Sequence, residues 1–417
     1  MTRAVPGQKP TLSAPGNAAL LKNLLFSGIA FLIVLIALHV IAYFGIRYQN
    51  DRQVRRTGEA LKNAAPLFVE YANLRMEFIH PFLKMTLAPN QNLPFCRINR
   101  QGHRGPDFVR KKTGAFRIAI IGGSAALGWC ASSETETIHS LLQTALEKPF
   151  PDRRFEVYNF AMSQYNSTQE LFVLETEVLA YQPDFVIILS GINDFGWASG
   201  DDQWQPYYPL GWPHMSTIIR PAFFQDSWPR RPWFLRSSFK WSFLARTAWE
   251  NLKIRCSPVV FFHNIFARPR TNHNFAFDDT DYALIGKRTE LWARNIEMMA
   301  RLLDSFGIPY CASLQPCEFY HRRPTGIELQ VVDFFIRGRS DKRNALRYWN
   351  TVYPEAEKAL VSRSYPVRTL DLTRCFEDVQ DIVYFDVCHF NARGAEILAR
   401  RYAERIRPYV ETWAQKK

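Results

Sequence analysis

Hydrophobic and polar positions fall into three regimes along the chain. The first is one unbroken apolar run. Leu24 to Ile46 reads LLFSGIAFLIVLIALHVIAYFGI and carries no formal charge, with Ser27 and His39 as its main polar breaks. A helix needs about 20 such residues to cross the hydrocarbon core, so the run predicts a single-pass membrane anchor over 24–46. A signal-peptide core is shorter, about 7–15 residues, and ends at small residues. Ile46-Arg47-Tyr48 offers no such end. Residues 1–23 are expected to form an N-terminal tail. In the second regime, Leu61, Ala64, Leu67, Phe68, Tyr71, Leu74 and Met76 alternate with charged positions. That spacing predicts a helical stalk, assigned with its linker to 47–94.

The third regime starts at Phe116. Short apolar runs at Arg117–Ile121, Phe155–Asn159, Phe185–Leu189, Ile308–Leu314 and Val367–Leu372 read as five strands. Helical patterns at Glu170–Tyr181, Tyr282–Phe306 and Gly394–Ile406 lie between and after them. Buried strands separated by helices predict an α/β fold with a parallel sheet covered on both faces. Such sheets hold their ligands beyond the carboxyl ends of the strands. The residues just after each run are therefore the candidates for chemistry.

Composition narrows the class. The chain has 417 residues, 47% hydrophobic and 22% charged, which excludes disorder for its bulk. Its net charge of +13 favours acidic partners. Much of that charge lies in the segment 196–281, which also holds seven of the eleven tryptophans. Aromatic rings beside arginines there suit an anionic polysaccharide or lipid headgroups, and they equally suit an aromatic mini-core with a basic rim. Nucleic acid is not expected, since no recognition motif accompanies the charge. The seven cysteines include no Cys-x-x-Cys pair, so no structural metal site is predicted. Cys311 with Cys317, and Cys375 with Cys388, could be disulfides in an oxidising compartment and buried thiols in a reducing one.

Strand ends supply the candidate chemistry. The first strand runs into Gly122-Gly123-Ser124. A serine there can be a nucleophile if a base reaches it, and it also suits a helix N-cap. The second runs into the segment Asn159–Ser167, which contains Gln164. The third runs into Gly191-Ile192-Asn193-Asp194, residues that also suit a turn. Near the C-terminus, Asp386 precedes His389 by three residues, a spacing from which a carboxylate can orient an imidazole.

Taken in order, these blocks resemble the SGNH (GDSL-type) hydrolases. Gly122-Gly123-Ser124 stands for the first block, with Leu127-Gly128-Trp129 and Glu134-Thr135-Glu136-Thr137 as familiar context. Gly191-Ile192-Asn193-Asp194 stands for the third, and Asp386-Val387-Cys388-His389 with Phe390-Asn391 and Gly394 for the fifth. Arg97 to Arg104 also looks like a lead-in seen in related bacterial proteins. The resemblance covers residues 95–195 and 282–407. It implies a flavodoxin-like three-layer α/β/α sandwich with a five-stranded parallel sheet, in a hydrolase domain over 95–417. It implies catalytic Ser124, His389 and Asp386, and oxyanion donors from Ser124, Gln164 and Asn193. Gly123, Gly191 and Asp194 would support them. No metal or organic cofactor is implied. The sequence departs from the family in the second block, where Gln164 replaces a glycine.

Three functions follow from that resemblance. The first is a membrane-anchored serine esterase acting on acylated small molecules or glycans, with O-acetyl carbohydrate as the expected substrate. The second is O-acyl transfer to a polysaccharide by the same residues. The third is an inactive glycan-binding or assembly protein. The Lys/Arg flanks of the apolar run, richer after it than before it, lean towards a cytoplasmic C-terminal domain. The resemblance favours export, and a periplasmic or extracytoplasmic catalytic domain is the expectation adopted.

Overall fold

Phe116–Gly122 forms β5, the centre of the main sheet, and every residue of it is buried. The computed structural model describes residues 22–34, 37, 76–80, 83–110, 114–196, 277–326, 328, 329, 332 and 339–415. The chain forms two units. One comprises Met1–Gln53 with Pro229–Arg270, the other Val54–Trp228 with Thr271–Lys417.

In the first unit the described residues are helical over 22–34. Among the described residues no helix is long and apolar enough to cross a membrane. This corrects the anchor expected over 24–46, and with it the single-pass localisation, the membrane partner and the extracytoplasmic placement. Most of 35–46 lies outside the described residues.

The first described residues of the second unit form two antiparallel hairpins. β1 (Met76–His80) pairs with β2 (Lys84–Leu87), and β3 (Gln91–Leu93) with β4 (Cys96–Ile98). They replace the C-terminal end of the helical stalk expected over 47–94. Pro81, Pro89 and Pro94 punctuate this stretch and withhold the donors a helix needs. Asn90 takes a left-handed turn, at φ 58°, between the hairpins. Residues 50–75 lie outside the described residues.

The main sheet has the order β6-β5-β7-β8, with β6 at Phe155–Asn159, β7 at Phe185–Ser190 and β8 at Tyr310–Leu314. Every pairing in it is parallel, with Ile118 opposite Val157 and Phe185, and Ile187 opposite Cys311. The α/β class with a parallel sheet is therefore present. The sheet has four strands rather than five. The expected fifth, Val367–Leu372, shrinks to one bridge between Thr369 and Ala312. Pro366 precedes it without an N–H. Asp371 then accepts from the Thr373 N–H at 2.8 Å and turns the chain away.

The helices among the described residues include α1 (Ser124–Leu127), α2 (Ile138–Glu147), α3 (Ser167–Thr176), α4 (Ile192–Phe195), α5 (Asp279–Ser305), α6 (Arg339–Val361) and α7 (Ala392–Gln415). The strand order reverses between β6 and β7. Right-handed crossovers then carry α2 over one face and α3 and α5 over the other. Accordingly α2 packs on α7, α3 on α5, and α5 on α6. Large rings fill the α5–α6 side, where Trp292, Trp349, Tyr348 and Tyr353 are all buried. Phe277 stacks on Tyr348 at 3.7 Å between ring centroids. The aromatic, basic segment 196–281 falls almost wholly outside the described residues, at 197–276.

Candidate active site

β5 ends at Gly122, and Ser124 opens α1 two residues later. Gly123 has an ordinary φ of −85°, so the turn itself does not require glycine. Space does: a Cβ on Gly123 would lie 2.5 Å from Asn193 Nδ2. The glycine therefore lets α1 approach the end of β7. Ser124 itself is 7% exposed.

His389 reaches this serine from far along the chain. Its Nε2 lies 2.7 Å from Ser124 Oγ. On the other side of the ring, Nδ1 lies 2.6 Å from Asp386 Oδ2. An ionised Asp386 can only accept, so Nδ1 carries the proton and Nε2 is left to accept from the serine hydroxyl. Asp386 Oδ1 accepts from the backbone N–H groups of Cys388, at 2.9 Å, and His389, at 2.8 Å. Burial pushes the Asp386 carboxyl up, but the His389 charge and these hydrogen bonds outweigh it, and its pKa is held below the usual carboxylate value. The aspartate is therefore ionised at neutral pH.

Ser124, Asn193 and Gln164 each lie just after the end of a strand. The Ser124 N–H is the first of its short helix and has no intrahelical acceptor. Asn193, in α4, donates from Nδ2 to the Tyr165 carbonyl at 2.8 Å, which fixes its amide beside Gly123. Gln164 lies in the loop after β6 with φ 65°. Its backbone thus takes the left-handed shape that glycine adopts most easily. That shape costs a non-glycine residue about 1–2 kcal/mol. Gly191 is also left-handed, at φ 109°, and a Cβ there would meet Leu314 at 2.5 Å.

Asp194 is turned to a different task. It accepts from the Ser167 N–H, at 3.1 Å, and the Ser167 hydroxyl, at 2.5 Å, tying α4 to the start of α3. Burial pushes its pKa up to about 7, against the opposing pull of the Ser167 hydrogen bonds. Its neighbour Glu170 is also raised, first by burial and then by the Asp194 charge. One Glu170 carboxyl oxygen has no partner among the described residues. Unfolded carboxyls titrate near pH 4, so folding binds extra protons between about pH 4 and 7. Stability should fall as pH rises through that window. Glu170→Gln removes one of the two like charges. In thermal melts across pH 5–8 it should flatten this decline and raise the midpoint at pH 8. An unchanged pH slope would refute that account.

Several residues that support the site had no role legible from the chain alone. Arg104 is fully buried and donates to the carbonyls of Gly128 at 2.6 Å, Leu127 at 3.3 Å and Phe95 at 2.8 Å. It also donates to Glu134 at 3.0 Å. It thus clamps the exit of α1. Gln315, just after β8, donates to the Cys388 carbonyl at 3.0 Å, and the Glu318 N–H donates to the Val387 carbonyl at 3.1 Å. Both hold the histidine loop. The position of Gln315 at a strand end was the available signal. The six described cysteines, including Cys311, Cys317, Cys375 and Cys388, are free thiols, so neither candidate disulfide forms. Burial pushes the Cys388 thiol well up, which makes it a poor nucleophile although its Sγ lies 3.7 Å from His389 Nδ1.

No family model and no curated protein matches this chain. Several solved structures overlap it loosely. An acetyl xylan esterase shares 11% identity over 70% of this chain and 99% of its own, with a TM-score of 0.34. A catalytic mutant of an acetylxylan esterase from Geobacillus stearothermophilus shares 15% over 71% and 96%, with a TM-score of 0.32. A lipase from a goat rumen metagenome shares 10% over 70% and 97%, with a TM-score of 0.36. Overlaps this loose carry no argument about activity.

Proposed function

We propose that the chain is a serine esterase with an SGNH-type hydrolase domain over residues 95–417, built as a flavodoxin-like three-layer sandwich. One observation carries this: the continuous hydrogen-bonded line from Ser124 Oγ through His389 to Asp386, at 2.7 and 2.6 Å. In the proposed reaction Ser124 Oγ attacks the ester carbonyl while His389 Nε2 takes its proton. The oxyanion that forms is met by the N–H groups of Ser124 and Gln164 and by the Asn193 amide. As the tetrahedral adduct collapses, His389 returns the proton to the leaving alcohol, giving an acyl-serine. Water, activated by the same imidazole, then releases the acid. Asp386 holds the tautomer and stabilises the imidazolium throughout.

O-acetyl groups on carbohydrate are the substrate class we assign. Transfer of the acyl group to a sugar hydroxyl would use the same residues. Fluorophosphonate labelling of the purified full chain tests the nucleophile. Wild type should label at Ser124, and Ser124→Ala should not. A folded wild type that stays unlabelled and inactive on p-nitrophenyl acetate would sink the esterase proposal. Asn193→Ala should fold normally and lower kcat about 100- to 1,000-fold with little change in KM, the cost of one oxyanion donor. A loss confined to KM would instead place Asn193 in ground-state binding.

A further inference from the structure

The segment after β8 carries more than the supports of the histidine loop. Phe319, Arg322, Arg323, Arg343, Leu346 and Arg347 line an open cleft of about 590 Å³. Phe319 and Leu346 give it an apolar side, and the four arginines give it charge. Arg322 is accounted for within the fold. It pairs with Glu328 at 2.7 Å, both side chains buried, and donates to the carbonyls of Phe376 and Asp381.

The other three arginines are not accounted for in this way. Arg323 and Arg343 are exposed and have no acidic partner among the described residues. Arg347 lies over the Tyr282 ring at 5.2 Å, a contact that leaves its charge uncompensated. Arg343 and Arg347 are four residues apart on α6, so their like charges share one face, which disfavours the helix. The one acid lining the cleft, Glu377, is paired with Arg374 at 3.1 Å. A concave wall of unpaired guanidinium groups beside apolar surface is suited to an oxyanion carried on a larger body.

We propose that this cleft binds an anionic ligand through a carboxylate or phosphate group held by Arg323, Arg343 and Arg347. Its wall is joined to the histidine loop, since Glu318 bonds to Val387 at 3.1 Å next to Phe319. If the esterase proposal holds, on which this clause rests, the cleft makes an acylated anionic saccharide the preferred substrate.

Calorimetric titration of the full chain tests the binding directly. The probes are trigalacturonate as the carboxylate source, inorganic phosphate as the phosphate source, and xylotriose as a neutral trisaccharide. At least one anion should bind, weakening with added salt, and xylotriose should not. Arg323→Gln/Arg343→Gln/Arg347→Gln should weaken the anion at least tenfold. Arg294→Gln/Arg400→Gln/Arg407→Gln, which removes the same charge from exposed positions outside the cleft, should leave it within twofold. Tighter binding of trigalacturonate identifies the carboxylate as the group, and tighter binding of phosphate identifies the phosphate. Ser124→Ala should bind like wild type, so failure of the cleft and failure of the esterase proposal can be told apart. Equal binding of xylotriose, equal losses in the two triple variants, or no anion binding would each overturn the proposal.

Discussion

His389→Ala should lower p-nitrophenyl acetate turnover about 10⁴-fold or more, and Ser124→Ala by a similar factor. The double variant should be little worse than either single one. Ser124 Oγ and His389 Nε2 share one hydrogen bond at 2.7 Å, so losing either partner disables the same step. Additive losses would mean that the two act independently, against the proposed mechanism. Asp386→Asn should also lose about 10⁴-fold, because an amide at Oδ2 can donate to Nδ1 and impose the wrong tautomer. Its folding should change less than its activity. An Asp386→Asn enzyme with near-normal turnover would remove Asp386 from the chemistry.

The second large effect is expected on stability. Arg104→Met keeps most of the side-chain volume and removes a buried cation that bonds to three carbonyls and to Glu134. Stranding buried acceptors and breaking a charge pair whose carboxylate is half-buried costs about 3 kcal/mol. The urea midpoint should fall accordingly, with the slope unchanged. The effect also has a pH signature. Burial raises the Glu134 pKa, but the His139 hydrogen bond and the Arg104 charge outweigh it and bring it to about 2. The stabilisation from this pairing is present above about pH 4, where unfolded Glu titrates. It is lost as pH falls towards 2, so the gap between wild type and variant should narrow in acid. A gap that stays constant down to pH 2 would mean that Glu134 contributes nothing to it.

Local pattern was enough to read β5, β6, β7 and β8, because a strand buried on both faces must be apolar along its whole length. The same alternation predicted that chemistry would follow the strands; Ser124, Gln164 and Asn193 lie in such segments, whereas His389 lies in a loop well beyond the single bridge at Thr369. Four features were not legible. Val367–Leu372 has strand-like composition, but pairing depends on flanking geometry, and Pro366 and the Asp371 turn leave room for a single bridge at Thr369. Gly123 read as a turn residue, whereas its reason is the nearness of Asn193 in three dimensions. Arg104 stood in a recognisable segment with no visible task, because its partners lie at Phe95, Leu127, Gly128 and Glu134, on separate elements. Asp194 read as part of the catalytic block, yet its carboxylate faces Ser167, since adjacent residues of a short helix point in different directions.

The contact between Ser124 and His389 spans 265 positions of sequence. Contacts of that range form late in folding, because a long loop must close before they contribute. The consequence concerns synthesis. A ribosome-bound chain can complete β5, β6 and β7 with its serine in place and still have no base, since His389 and the α7 helix that packs on α2 emerge about 200 residues after β7. Under the proposed mechanism the nascent protein stays chemically silent until Asp386 and His389 have emerged and docked, so its onset of esterase activity would report that docking.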